Sequence, residues 1–349
     1  MRIVLQVLPG VAPALRAELS SIGWEPIDDL GGSQAEELLI EVPDGVASLD
    51  SLARLRTAVA AYVSIDSGAS RPTGLTATEV QRAFRAVLDL VAQQRPRVRF
   101  KGLRLEAAGS DTPQMVRIAT ELAQLGGIPV DPDDGDLLVR ARRLADGGPG
   151  WELLVRTTPR PLATRAWRTE SYPGALNATI AAAVVDVFDP QPTDRFADLM
   201  CGSGTLTIER LARGAAEQLL AIDVDPHAIE VLTLHQRAAR LRGRIEAVVG
   251  DVAQLRQDAM RAGQFTTIVS NPPWGELHGD HATNADLYVM LLDAIDHLGA
   301  EEVRAGILTH DIRRFEAVLA ADDRWSLIES PQFFAKGHRP RLFVIERAV

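Results

Sequence analysis

Apolar and polar positions alternate or repeat in two distinct styles along this chain, and the change of style divides it. Ile3, Leu5 and Val7 alternate, predicting a strand over 2–8. Pro13 opens a helical pattern through Leu15, Leu19 and Ile22 that Gly23 stops, and Leu38–Val42 predicts a second strand. Strand, helix and strand within 45 residues suggest a small α+β domain. Residues 52–65 mix both periods and read as helix then strand, and 67–74 as a loop. Val80, Phe84, Val87, Leu88 and Val91 line one face of a helix. Val98–Leu105 predicts a strand, 113–125 a helix closed by Gly126 and Gly127, and Leu137–Ala141 and Trp151–Thr157 two further strands. Pro159 and Pro161 punctuate the chain, which places a boundary near 160–170.

Beyond it the pattern becomes regular. Helices over 176–187, 204–213, 226–241, 251–262, 287–298 and 311–321 alternate with strands over 196–199, 219–224, 245–249, 266–270 and 303–308. Two more strands follow, over 325–329 and 341–345. Such alternation predicts an α/β fold built on a doubly wound, mostly parallel sheet.

Composition excludes some classes. No apolar run reaches the roughly 18 residues of a membrane span, and Pro9 and Gly10 break the N-terminal apolar stretch too early for a signal peptide. One cysteine, Cys201, leaves no internal disulfide framework. A cytoplasmic protein is expected. The net charge of −10 opposes a protein that coats nucleic acid, yet residues 71–168 hold 16 basic against 11 acidic side chains. Arg95, Arg97, Arg99, Lys101 and Arg104 form one dense stretch, and Arg140, Arg142 and Arg143 another. They read either as a solvated face or as a phosphate-contacting surface.

Four candidate-site motifs lie in the second half, each at a strand's carboxyl end. In Asp198-Leu-Met-Cys-Gly-Ser-Gly-Thr205, Gly202 and Gly204 permit a tight turn against which a ligand meets bare backbone. A dinucleotide fingerprint would need a third glycine where Thr207 stands, and no phosphate loop is present. Asp198 suits a cationic ligand rather than a pyrophosphate. Asp223 is a candidate for ribose hydroxyls, whereas Asp225 before Pro226 reads as a helix cap. Asp251 either accepts an adenine amino group or caps a helix. The fourth motif, Ser270-Asn-Pro-Pro-Trp-Gly275, is the most specific. Two prolines hold the Asn271 amide oxygen and the Pro272 carbonyl as outward acceptors for an exocyclic –NH2, and Trp274 offers a stacking face. The alternative is a turn with a core tryptophan.

DLMCGSGT, AIDVDP, VVGDV and SNPPW resemble the successive motifs of class I S-adenosylmethionine-dependent methyltransferases, NPPW that of enzymes acting on amino groups. Arg165-Ala-Trp-Arg168 and Tyr172-Pro-Gly-Ala-Leu176 resemble the segment preceding the catalytic domain of THUMP-containing RNA methyltransferases, and the resemblance continues with Leu287-Tyr288 after the NPPW loop. Looser similarity, in LARLRTAVAAY, VRFKGLRLEAAG and LLVRTTPRPLATR, extends to that family's THUMP domain. The resemblance implies a ferredoxin-like subdomain over 1–50, a THUMP-like RNA-binding domain over 51–160 and a Rossmann-like methyltransferase domain over 161–349. It implies an enzyme that makes N2-methylguanosine in tRNA or rRNA. Asp198, Cys201, Gly202, Gly204, Asp223 and Asp251 would line the S-adenosylmethionine site. Asn271, Pro272 and Trp274 would hold the target base, and Arg97, Arg99, Lys101, Arg140 and Arg143 would meet RNA. The chain departs from the family's common pattern at Leu199, often Pro, and at Trp274, commonly Tyr.

Adenine in DNA or a glutamine side chain in protein remains an alternative methyl acceptor, since the acceptor pair suits any planar amine. An NAD-dependent oxidoreductase and a non-catalytic RNA-binding protein are rivals of other classes. A monomer is expected, and no metal, because His278 and His281 have no cysteine and no third ligand nearby. Arg339 and Arg341 either face the site or are ordinary surface charges.

Overall fold

A computed structural model describes residues 1–27, 36–97, 99–144, 148–241, 243–257, 259–273, 284–334 and 337–348. They form two compact units, Met1–Val7 with Leu15–Ala163, and Leu8–Ala14 with Thr164–Val349.

The first unit is one six-stranded sheet. Its strands are β1 (Arg2–Gln6), β2 (Glu37–Glu41), β3 (Ala60–Asp66), β4 (Leu103–Ala107), β5 (Leu137–Arg143) and β6 (Trp151–Arg156), in the order β2-β1-β3-β6-β5-β4. All neighbours are antiparallel except β4 and β5. Its helices are α1 (Ala12–Ser21), from Leu15 onward, α2 (Val46–Leu52), α3 (Thr78–Gln94) and α4 (Pro113–Gly126). The stripe read from α3 is the buried one, Val80, Phe84, Val87 and Val91. Thr112 caps α4 by accepting the Met115 N–H, and Gly127 ends it with φ 63. β1, from the interval expected to stand apart as 1–50, lies between β2 and β3, so a single sheet crosses residue 50.

The strand expected over 98–105 begins only at Leu103. The Lys101 N–H donates to Asp136 Oδ1 at 2.7 Å rather than to a ladder partner, and Val98 lies outside the described residues. The expected loop over 67–74 ends in a 3-10 turn, Pro72–Thr76.

The second unit carries seven strands. These are β7 (Arg195–Leu199), β8 (Gln218–Asp223), β9 (Glu246–Val249), β10 (Phe265–Ser270), β11 (Gly299–Thr309), β12 (Trp325–Glu329) and β13 (Arg341–Arg347), in the order β12-β13-β11-β10-β7-β8-β9. β7 to β11 run parallel, while β13 is antiparallel to both β11 and β12. The connecting helices are α5 (Ala178–Asp186), α6 (Thr205–Ala212), α7 (Pro226–Ala239), α8 (Val252–Leu255), α9 (Asn284–Leu298) and α10 (Ile312–Ala320). From β7 the chain winds to β8 and β9 on one side and to β10 and β11 on the other. This reversal falls between β7 and β10, and open α/β sheets bind ligands outside the carboxyl ends of their strands at such a point. Buried apolar side chains of the strands and of α9, among them Leu199, Leu220, Ile268, Leu291 and Ile307, form a core that holds those ends in place.

The helix expected over 251–262 stops after Leu255, because the apolar stripe ends there and Met260 is 86% exposed. Leu176 precedes α5, which starts where the Asn177 side chain accepts the Thr179 N–H.

Candidate active site

The glycine turn follows β7 directly. Met200, Gly202 and Gly204 all have left-handed backbones, with φ of 63, 52 and 78°. At Gly204 a Cβ would lie 2.5 Å from Leu232 Cγ, so packing and dihedral both demand glycine there. The Cys201 N–H donates to Ile222 O at 2.9 Å, stitching the turn to β8. The Cys201 thiol is pushed well up, by burial first and then by Asp198 and Asp223. That is the wrong direction for a nucleophile, which must be a thiolate.

Asp198 sits on β7 beneath this turn and is fully buried. Thr207 donates to its Oδ2 twice, from the hydroxyl at 2.6 Å and the N–H at 3.2 Å. The residue read only as a missing glycine thus positions this carboxylate. Asp198 Oδ1 is buried and accepts no hydrogen bond. Burial pushes the carboxyl up to about 7, against the Thr207 hydrogen bonds, with Asp223 adding to the rise.

A raised carboxyl favours the fold when protonated. Its contribution is full below the unfolded value near 4 and is lost as pH rises through 7, about 4 kcal/mol in all. Asp198→Asn keeps the shape and removes the titration. Between pH 5 and 8 the ligand-free wild type should lose melting temperature relative to this variant, as followed by circular dichroism. Parallel pH profiles would refute the assignment.

At the end of β8, Asp223 Oδ2 accepts the Gly202 N–H at 2.7 Å and Oδ1 the Asp225 N–H at 3.0 Å. The ribose candidate therefore also braces the glycine turn. Asp225 caps α7 through His227 N–H and receives the Tyr172 hydroxyl at 3.0 Å. Those two donors hold Asp225 below the usual carboxylate range, the His227 N–H first. Asp251 is an N-cap, accepting the Ala253 N–H at 2.9 Å.

Sequence reasoning assigned no role to the segment that covers this site. Tyr172 Cε1 lies 3.6 Å from where a Gly202 Cβ would be, and burial and the nearby carboxylates push its hydroxyl up. Arg165 forms a buried ion pair with Glu209 of α6, Nε to Oε1 at 2.8 Å. Arg168 donates to Leu176 O and Thr205 Oγ1, both at 2.9 Å. His235 of α7, fully buried, bridges Ser203 O and the Glu170 backbone. Only the pairing of RAWR with a later tyrosine hinted at this strap; its partners are 30 to 65 residues away.

At the end of β10, Ser270 Oγ donates to Leu199 O at 2.5 Å, locking β10 to β7 where the glycine turn begins. Asn271 is half-buried, and its Oδ1 is buried without a hydrogen-bond partner. Pro272 is buried; Trp274, His278 and His281 lie outside the described residues. The Tyr288 and Thr309 hydroxyls share a hydrogen bond of 2.8 Å and tie α9 to β11.

The basic residues of the first unit are not brought together. Arg97, Arg99 and Lys101 are exposed ahead of β4, whereas Arg143 is exposed at the far end of β5 against Trp151. Six residues of strand separate the two ends, roughly 20 Å. Arg140 is committed to Glu106 at 2.9 Å and lies 4.8 Å over the Tyr62 ring. Among the described residues no metal-binding group of side chains occurs, and no helix is long and apolar enough to cross a membrane.

The second unit is a methyltransferase domain. Residues 165–341, just over half of the chain, match the family model described as RMKL-like, methyltransferase domain, and the chain belongs to that family. It is similar to the human tRNA (guanine(6)-N(2))-methyltransferase THUMP3, 26% identical over 192 residues, covering 51% of this chain and 37% of that protein. It is 22% identical over 234 residues to the tRNA (guanine(6)-N2)-methyltransferase of Methanocaldococcus jannaschii, covering 56% of this chain and 59% of that one. The alignments thus span less than two thirds of either relative. In fold it resembles TrmN from Thermus thermophilus, with a TM-score of 0.71 at 23% identity over 99% of both chains.

Proposed function

We propose that this protein transfers a methyl group from S-adenosylmethionine to the 2-amino group of a guanosine in tRNA. The observation that carries the reading is the Asn271 amide oxygen, buried and unpartnered beside the turn that follows β7. A buried acceptor without a donor costs about 1–3 kcal/mol, and a site retains one where a ligand completes it.

The residues present fit the methyl donor. Bare backbone at Gly202 and Gly204 admits close approach, Asp223 offers carboxylate lone pairs to ribose hydroxyls, and Asp251 remains the candidate for the adenine amine. The buried, partnerless Asp198 Oδ1 suits a cationic group. Once bound, S-adenosylmethionine supplies an electrophilic methyl group. Asn271 Oδ1 accepts one N–H of the exocyclic amine and the Pro272 carbonyl the other. That turns the nitrogen lone pair away from the acceptors and fixes the amine for displacement, so the rate gain comes mainly from positioning; the nitrogen, made acidic as it is alkylated, gives one N–H proton to solvent. Trp274 provides a stacking face for the base, which must leave its helical stack to enter.

The relatives named as tRNA guanine-N2 methyltransferases favour guanosine over adenine or glutamine as acceptor. The first unit serves as the RNA-binding, THUMP-like part, with Arg97, Arg99, Lys101 and Arg143 as its exposed cations. The test is incubation with bulk tRNA and deuteromethyl S-adenosylmethionine, followed by nucleoside mass spectrometry. Labelled N2-methylguanosine is expected; label in adenosine, or none, overturns the reading.

A further inference from the structure

The geometry points to a second RNA contact on the methyltransferase domain itself, where Phe334, His338 and Arg339 with His310 grip the nucleotides flanking the target base. The inference rests on the reading of the protein as an RNA methyltransferase and adds a place where the RNA is held beside the chemistry.

Register puts these residues next to Asn271. β10 and β11 are parallel neighbours with Ser270 opposite Ile307, so Asn271 and His310 leave the same carboxyl edge on strands about 5 Å apart, with His310 two residues further along. β13 enters antiparallel with Arg341 opposite Thr309, which brings the connection between β12 and β13 to that edge too. The connection is anchored at its neck. Phe333 is buried and its N–H donates to Pro340 O at 2.9 Å, Leu342 N–H donates to Pro331 O at 2.9 Å, and Gln332 bridges to Arg341. A further anchor comes from the start of the chain. The Phe334 N–H donates to Pro9 O at 3.1 Å, and Gly10, with φ 86, lies so close that a Cβ would sit 2.0 Å from Gln332 O.

On this fixed neck the side chains suit a nucleotide strand. Phe334 is 37% exposed, and the Arg339 guanidinium lies 5.8 Å from its ring centroid. The His310 and His338 rings are 5.6 Å apart, both half-exposed. Of the nearby cations, Arg341 pairs with Glu316 at 2.9 Å and Arg314 with Asp311, while Arg313 is exposed. Among the described residues no carboxylate pairs with Arg339. Residues 169–349 carry 17 basic against 26 acidic side chains. An unneutralised guanidinium on an exposed phenyl ring is therefore a local reversal of sign at the lip of the site. A phosphate satisfies the cation, and an unstacked base satisfies the ring; single-stranded RNA presents both together.

The test uses the full chain and its Phe334→Ala, His338→Gln and Arg339→Ala variants. Binding of a tRNA transcript is followed by filter retention across a potassium chloride series, beside methylation kinetics and S-adenosylhomocysteine calorimetry. Phe334→Ala and Arg339→Ala should each weaken RNA binding and raise KM for tRNA about tenfold. The kcat and cofactor affinity should hold, and Arg339→Ala should lower the salt slope by about one. A wild type that binds and methylates tRNA while the variants match it in KM and slope overturns this surface and leaves the proposed activity standing. Weakened binding in the variants with no methyl transfer by any of them supports the surface and removes the activity. A wild type that binds no RNA removes both.

Discussion

Asn271→Ala is expected to cut methyl transfer by about 10²–10³-fold while cofactor binding stays within twofold. In the proposed reaction the amide oxygen aims the amine, and removing one such acceptor from a preorganised site costs about 3–4 kcal/mol of barrier. A second consequence separates this from ordinary damage. Most half-buried polar side chains are hydrogen-bonded, and truncating them destabilises. Here Oδ1 accepts no hydrogen bond, so its removal relieves an unmet polar group. The variant should melt at or slightly above the wild-type temperature. Full activity would remove Asn271 from the site, and a large fall in melting temperature would make it a structural residue. Single-turnover assays with saturating cofactor, beside calorimetry with S-adenosylhomocysteine, read both outcomes.

Glu209→Gln should be the most destabilising conservative change in the second unit. The Glu209 carboxylate is fully buried on α6, and its Arg165 partner is only 8% exposed. The guanidinium reaches it through two nitrogens, at 2.8 and 3.4 Å. Removing the negative charge leaves a cation in a dry interior, a loss of about 3–5 kcal/mol. For a domain of this size that lowers Tm by roughly 10 °C. The strap from Arg165 to Leu176 should loosen as well, and with it Tyr172 over the glycine turn, so S-adenosylhomocysteine binding should weaken in step. Pairing the change as Arg165→Met with Glu209→Leu should recover much of the Tm, because two apolar side chains leave no charge behind. Equal destabilisation in the single and double variants would show that packing rather than charge governs this pair. Differential scanning calorimetry of the wild type, Glu209→Gln and the double variant decides it.

The elements of the second unit were legible because each is encoded locally. An apolar stripe of helical period, an asparagine or aspartate ahead of it, and glycines where φ turns positive mark α5, the turn after β7 and α7. Where the stripe stopped, as after Leu255, the helix stopped too, and counting polar residues as helical beyond it overran the element. Val98–Leu105 was overread for a related reason: alternation alone does not reveal that Asp136 takes the Lys101 N–H out of the ladder.

The basic stretches show the limit of charge reading. Proximity in sequence put Arg140 with Arg143, but neighbours three apart on a strand face opposite ways, and Glu106 and Tyr62 occupy Arg140.

By itself, then, the sequence determined the kind of fold, the strand ends that carry the site, and the residues there with acceptors to offer. Short-range rules suffice for that: side-chain period, dihedral preference and the chemistry of single groups. Only the tertiary structure decided which groups meet. It set Thr207 against Asp198, Glu209 against Arg165, Tyr172 over Gly202 and Pro9 against Phe334. Such pairs are fixed by how buried surfaces pack across tens or hundreds of residues, and no local pattern records that distance.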